Sequence, residues 1–320
     1  MKPKVVVTRK LPTEIYDQLS KRCQVYMWEE EEKPIPRSEL EAQIKDAAAL
    51  FCMITETVDA ELLDQAQNLK VIANMAVGYN NIDISTCEAR GIRVTNTPGV
   101  LTDTTADLAF ALLMATARRI PEGMDTIRRD EWNNWSPFFL TGQDISHATL
   151  GIIGMGRIGS ALAKRAKGFE MEVVYNNRSR NYEAERISGA VFASFDELLE
   201  KSDYVCLLTP YTKETHHLIG KDELQKMKKT AILINVSRGG TVDEEALYAA
   251  LKSNDIYAAG LDVFEGEPIA STHPLLTLSN VVATPHIGSA SVNTRMEMAR
   301  MTARHILQVL NGEDPDHLVV

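Results

Sequence analysis

Three polar residues in the second half of the chain each follow an apolar run that reads as a strand. They are Arg238 in NVSRGG, Glu267 in LDVFEGEP and His286 in TPHIG. Taken singly, each has a dull explanation. An arginine past a strand is usually solvated, a glutamate before proline usually marks a turn, and one histidine among seven means little. Doubly wound sheets, however, bind their ligands beyond the carboxyl ends of the strands, where all three are expected. A hydride delivered to a keto carbon leaves an alkoxide that needs a proton, and an imidazole can donate one near neutral pH. A carboxylate beside that imidazole favours its protonated form. An arginine can hold a substrate carboxylate bidentately and polarise the neighbouring carbonyl. With His286 as acid, Glu267 as its partner and Arg238 as clamp, the set adds up to reduction of a 2-keto acid.

Such a reduction needs a hydride carrier, and residues 149–180, TLGIIGMGRIGSALAKRAKGFEMEVVYNNRSR, have the pattern of a site for one. An apolar strand (150–153) leads into a glycine turn, a helix-period run (160–168) and a second strand (171–175). The turn reads Gly154-x-Gly156-x-x-Gly159. Its glycines allow a tight turn, close approach of backbone to a pyrophosphate, and close packing of helix on strand. The phosphates would then sit on free N–H groups at the helix N-terminus. An NAD site wants a carboxylate at the end of the second strand, for the ribose 2′-OH. That place holds Asn176 or Asn177, and Arg178, Ser179 and Arg180 follow. Charge-assisted hydrogen bonds contribute about 1.5–3 kcal/mol each. One or two of them to a 2′-phosphate would favour NADP(H) over NAD(H) by roughly ten- to several-hundred-fold. The competing reading of these residues is a solvated basic loop.

The elements that must position these residues alternate strand and helix from the start. Strands are expected at 5–8, 25–28, 49–54, 70–75 and 92–95, with helices at 14–22, 37–48 and 60–67. Further strands follow at 204–208, 231–235, 256–261 and 281–283. This is an α/β chain with two parallel sheets, Rossmann-like or flavodoxin-like, and a cleft between two domains. At 320 residues, two domains are the natural division. The Asn96-Thr97-Pro98-Gly99 cluster reads as a hinge, so residues 1–99 with 292–320 are expected to bind substrate and 100–291 the dinucleotide. The first part lacks a phosphate-cradling glycine motif and should bind something else. A helix at 102–118 is apolar on more than one side, as for a helix facing a second subunit as well as a sheet. An amphipathic run at 292–310 should cross back onto the first domain.

Composition excludes several classes. A net charge of −10, from 34 basic and 44 acidic residues, argues against a nucleic-acid surface. The four cysteines, Cys23, Cys52, Cys87 and Cys206, form no CxxC pair, so neither a disulfide framework nor a zinc site is expected, and no metal. The N-terminus starts a strand at once, without a signal-peptide pattern, and no apolar run reaches transmembrane length. A cytoplasmic protein, free of membrane, is the expectation.

The stretches GIIGMGRIG, INVSRGGTVDEEAL, AAGLDVFEGEP, TPHIGSAS, NMAVGYNNID and TPGVLTDTTADLAFALL, in that fold context, resemble the D-isomer-specific 2-hydroxyacid dehydrogenases over nearly the full length. Within that family the likeness is to glyoxylate/hydroxypyruvate reductases, including bacterial glyoxylate/2-ketogluconate relatives. The resemblance implies Arg238, Glu267 and His286 as the catalytic trio, and backbone N–H groups of Val77 and Gly78 that help hold the substrate carboxylate. Gly78 is expected at the end of a first-domain strand. The likeness also implies that Asp262 binds the nicotinamide carboxamide, that Gly156, Arg157 and Ile158 cradle the pyrophosphate, and that Thr104, Thr209, Pro210, Val236 and Gly288 line the cofactor groove. Trp135, in the aromatic loop WNNWSPFF, looks like a tryptophan that reaches into a neighbouring subunit's site, which implies a homodimer and small substrates. Formate dehydrogenases of this fold carry glutamine where Glu267 stands. Phosphoglycerate dehydrogenases generally keep the acidic NAD residue. The expected activity is therefore NADPH-dependent reduction of glyoxylate and hydroxypyruvate, with 2-ketogluconate or another D-2-hydroxyacid couple as an alternative substrate. The expectation from another class is an NADP(H)-binding sensor or corepressor-like scaffold.

Overall fold

The computed structural model describes residues 2–320. The chain falls into two compact units, Met1–Leu101 with Ser291–Val320, and Thr102–Ala290.

The first unit carries five parallel strands: β1 (Lys4–Val7), β2 (Gln24–Met27), β3 (Ala49–Cys52), β4 (Val71–Asn74) and β5 (Arg93–Thr95). Their spatial order is β2-β1-β3-β4-β5, the flavodoxin-like arrangement of a doubly wound sheet. β3 and β4 are buried along their whole length, which is why they read as apolar runs, broken only by Asn74 at the end of β4, and not as alternating ones. Helices join the strands, and two start on aspartate caps. Asp59 accepts a hydrogen bond from the Leu62 N–H at 2.9 Å, and Asp83 one from the Thr86 N–H at 3.0 Å. The long helix Val292–Leu310, capped by Ser291, packs on β3, β4 and β5. Beyond it the chain covers the free edge of β5, where Val94 N–H donates to Val320 O at 2.9 Å and Val319 N–H to Val94 O at 2.7 Å.

The second unit holds seven parallel strands: β6 (Thr149–Ile153), β7 (Glu172–Asn176), β8 (Val191–Phe192), β9 (Tyr204–Leu207), β10 (Ile232–Asn235), β11 (Ala258–Leu261) and β12 (Val281–Ala283). The order β12-β11-β10-β9-β6-β7-β8 is that of a Rossmann sheet extended by one strand. The helix Thr102–Ala117 lies against β10 and β11, and Leu112, Leu113, Leu150, Ile152 and Ile234 close the core beneath it. Both sheets and their parallel pairing are as the strand–helix alternation implies. The short pieces were not legible: β8 is two residues long, and the helices Ile84–Ala89 and Tyr182–Ser188 span under two turns. Periodicity needs a longer window than these offer. Among the described residues no helix is long and apolar enough to cross a membrane.

Candidate functional site

The order of the seven-stranded sheet reverses between β6 and β9, and the glycine turn sits at the end of β6. Gly154 has φ +104, and a Cβ there would lie 2.8 Å from the Leu208 carbonyl and 2.9 Å from the Thr209 N. Only glycine lets the turn lie this close to the end of β9. A Cβ on Gly159 would meet Gly154 O at 2.3 Å, so this glycine sets the helix Arg157–Ala166 down on the strand. Gly156, the N-cap of that helix, behaves differently: its Cβ would meet nothing within 4 Å. The space in front of the helix is open, and the first-turn N–H groups that face it have no partner within the helix. Beside it, Thr209 carries a buried hydroxyl without a hydrogen-bond partner among the described residues. Open space, unpaired N–H groups and an orphaned hydroxyl at a strand-order switch fit a dinucleotide pyrophosphate.

The residues at and after the end of β7 divide into committed and uncommitted groups. Asn176 uses its amide on Ala193 O at 2.9 Å. Arg180 is held bidentately by Glu185, at 3.0 and 2.8 Å, and its guanidinium lies 5.2 Å from the Tyr182 ring centre. Glu185 also accepts from the Tyr175 hydroxyl at 2.6 Å, and the Arg180 hydrogen bond is the first cause of its lowered pKa. The sequence reading offered Arg178 and Arg180 as equals, but Arg180 is occupied. Arg178 and Ser179 are exposed, and Arg178 makes no hydrogen bond or ion pair with a described residue.

The trio lies past β10, β11 and β12 of the same sheet. Asn235, 1% exposed at the end of β10, builds the turn that presents Arg238. Its amide nitrogen donates to Arg238 O at 3.1 Å and its oxygen accepts from the Ser237 N–H and hydroxyl at 3.0 and 2.8 Å. A Cβ on Gly239 would lie 1.9 Å from the Phe264 carbonyl carbon, so this turn packs flush on the loop that leads to Glu267. The Arg238 guanidinium donates to Ser237 O at 2.7 Å. Burial pulls its pKa down and the Glu267 charge pulls it up, with a net lowering. Glu267 accepts from the Phe264 N–H at 2.8 Å with one oxygen and faces His286 Nδ1 at 2.6 Å with the other. Burial raises the Glu267 carboxyl, but His286, the Phe264 N–H and Arg238 together hold it below the usual range. It is a carboxylate at neutral pH. His286 has φ +53, and the loop that keeps it there is clamped by Asp262, which accepts from Thr284 Oγ1 at 2.7 Å and from the Ile287 and Gly288 N–H groups at 2.8 Å each. With Nδ1 turned to Glu267, Nε2 is the ring nitrogen left over.

In the first unit Gly78 does not end a strand: β4 stops at Asn74, and Gly78 lies in the following loop. The buried Asn74 side chain ends the ladder by donating to Gly78 O at 2.8 Å. Asn96 donates to Val77 O at 2.9 Å. Both carbonyls are thus pinned, while neither the Val77 nor the Gly78 N–H has an acceptor among the described residues.

Comparison with known proteins bears on the whole chain. Residues 110–288 match the family described as D-isomer specific 2-hydroxyacid dehydrogenase, NAD binding domain. This chain belongs to that family. A glyoxylate reductase from Korarchaeum cryptofilum is 48% identical over 320 residues, covering 100% of this chain and 96% of its own. A solved protein of Thermus thermophilus is 44% identical with TM-score 0.92, over 99% of this chain and 100% of that one. An NADPH-dependent glyoxylate/hydroxypyruvate reductase from Sinorhizobium meliloti, solved with NADP and malonate, is 31% identical with TM-score 0.89, over 100% of this chain and 97% of that one.

As a D-2-hydroxyacid dehydrogenase the chain is an NAD(P)-dependent oxidoreductase with a dinucleotide-binding domain. Its cysteines take no part in such chemistry. All four are free and buried, and burial pushes the Cys87 thiol up to about 11 and Cys206 to about 12. Several residues of this dehydrogenase escaped the sequence reading. Asn235, Ser237 and Gly239 shape the Arg238 turn, and Thr105, beside the expected Thr104, is the threonine whose side chain faces Gly288. A polar residue inside an apolar run, as Asn235 is in AILIN, was the available signal.

Proposed function

We propose that the chain reduces glyoxylate, and hydroxypyruvate after it, with NADPH preferred over NADH. The observation that carries this reading is the 2.6 Å pairing of His286 with Glu267 past the same sheet that holds Arg238 and the glycine turn. Its relatives' printed activities support the substrate class. The bound cofactor supplies the hydride. Arg238 holds the substrate carboxylate through its guanidinium. His286 gives the Nε2 proton to the oxygen of the former carbonyl, and the Glu267 carboxylate holds the ring in place and balances its charge. Asp262, with its oxygens engaged by the His286 loop, meets the nicotinamide carboxamide at most through its remaining lone pair. Gly154, Gly156, Arg157, Ile158 and Gly159 take the pyrophosphate, and Thr104, Thr209, Pro210, Val236 and Gly288 line the cofactor's path. Asn177, Arg178 and Ser179 take the 2′-phosphate, while Arg180 braces their loop from Glu185.

We also propose that the working form is a homodimer. Ile127, Trp132, Trp135, Phe138 and Phe139 are 64, 59, 74, 84 and 48% exposed, an apolar surface that a second copy would cover. The deciding experiment measures initial rates of NADPH and NADH oxidation with glyoxylate, hydroxypyruvate, pyruvate and 2-ketogluconate. Glyoxylate and hydroxypyruvate should be fastest, and turnover of none of them would sink the reading. Arg178→Ala should raise the NADPH KM about tenfold or more and leave the NADH KM unchanged. An equal change in both would refute the role given to Arg178.

A further inference from the structure

The loop after β9 carries two consecutive histidines that the reduction does not use. His216 and His217 lie with Glu265 in one exposed cluster, and their ligating atoms are within 4.8 Å of one another. In an extended chain adjacent side chains point apart. Here His217 has φ +49, and this left-handed turn brings both rings to the same side, stacked with centres 3.9 Å apart. A β-carbon residue held in that region without glycine's freedom is uncommon and marks a site that the surroundings enforce.

The surroundings do enforce it. The His217 N–H donates to Gly240 O at 2.8 Å, and the Glu265 N–H donates to Glu244 at 2.8 Å. The Tyr211 hydroxyl lies 3.1 Å from His216 Nδ1, which leaves Nε2 of that ring facing outward. His217 Nε2 lies 2.7 Å from Glu265 Oε1. Two imidazole nitrogens and a carboxylate oxygen, with a hydroxyl orienting one ring from behind, make the donor set and outer support of a zinc-type site.

We propose that His216, His217 and Glu265 bind one divalent transition-metal ion of the zinc kind, with water completing the coordination. At Zn–N and Zn–O distances of about 2.0–2.1 Å, tetrahedral ligands stand about 3.3 Å apart, so His216 must swing in by about 1.5 Å. Its ring is exposed, so the movement meets no core packing. The ion ties the loop after β9 to the segment Phe264–Glu267, which carries the partner of His286. The cysteines gave no metal signal in the sequence because the ligands are histidines and a glutamate 48 positions away from His217.

The test uses the full chain, stripped with chelator and titrated with ZnCl2 by calorimetry, with thermal melting alongside. One Zn2+ per chain should bind and raise the Tm. His217→Ala and Glu265→Gln should each weaken binding about tenfold or more, whereas His286→Ala should leave it within about twofold. His216→Ala should lose the Tm increase while keeping its metal-free Tm. Absence of stoichiometric binding, binding that survives both ligand variants, or binding lost with His286 would each overturn the proposal.

Discussion

The two sheets have the same strand geometry and each reverses its strand order once, yet the two reversal points are furnished in opposite ways. In the seven-stranded unit the point between β6 and β9 is left open. Gly154 removes a side chain, Gly156 faces empty space, and Thr209 keeps an unpartnered hydroxyl. In the five-stranded unit the order reverses between β1 and β3, and that point is filled from within. Glu56, 5% exposed, accepts from Thr8 Oγ1 at 2.6 Å, Arg9 Nη1 at 2.7 Å, and the Met53 N–H and Thr55 Oγ1 at 2.8 Å each. A carboxylate of the chain fills in this sheet the place that stays open in the other. Topology offers a crevice, and the side chains at its rim decide whether a ligand can use it.

Three changes would break or sharpen this contrast. The largest is expected from Glu56→Gln, which leaves the Arg9 guanidinium buried without a counter-charge. It should cost about 3–5 kcal/mol in urea unfolding of the five-stranded unit, and a loss under about 1 kcal/mol would show that the plug is ornamental. Next comes His305, fully buried in the same unit with neither ring nitrogen hydrogen-bonded to a described residue. Burial, then the charges of His317 and Arg304, hold its imidazole down to about 4 against the opposing pull of Asp316. The unfolded chain therefore binds a proton that the folded one refuses. Stability present above about pH 6.5 should drain by about 3 kcal/mol as the pH falls to about 4. His305→Gln should flatten that stretch of the stability–pH curve, and an unchanged slope would count against it. The smallest effect on stability belongs to Gly156→Ala. The added methyl meets nothing in the protein, so the Tm should move by about 1 °C or less, while cofactor affinity should fall at least about tenfold, roughly 1.4 kcal/mol. Equal cofactor binding in the two proteins would mean that the pyrophosphate lies elsewhere.

The open crevice was legible in the residues and the filled one was not. Glycines at 154, 156 and 159 announce themselves because backbone constraint maps onto residue type at fixed spacing. Arg238, Glu267 and His286 could be picked out because each follows an apolar strand. Arg9 and Glu56 are separated by 47 positions, and only the pairing of β1 with β3 makes them neighbours. The same blindness hid the grip of Glu185 on Arg180 and of Asn74 on Gly78. In the first case a side chain that looks available in a string of letters is already held by a partner the fold brings up; in the second a loop carbonyl is pinned while its N–H stays open.

The chain leaves the five-stranded unit at Leu101 and re-enters it at Ser291, and this has a consequence for the order of events on the ribosome. The strands β1 to β5 emerge first, but the helix Val292–Leu310 that covers β3 and β4, and the Val319–Val320 segment that seals β5, are synthesised only after all 189 residues of Thr102–Ala290. The dinucleotide unit can mature as one uninterrupted stretch while the earlier sheet waits with an apolar face bare. Nascent chains stalled before residue 291 should therefore be caught by holdase chaperones through their oldest strands, not their newest.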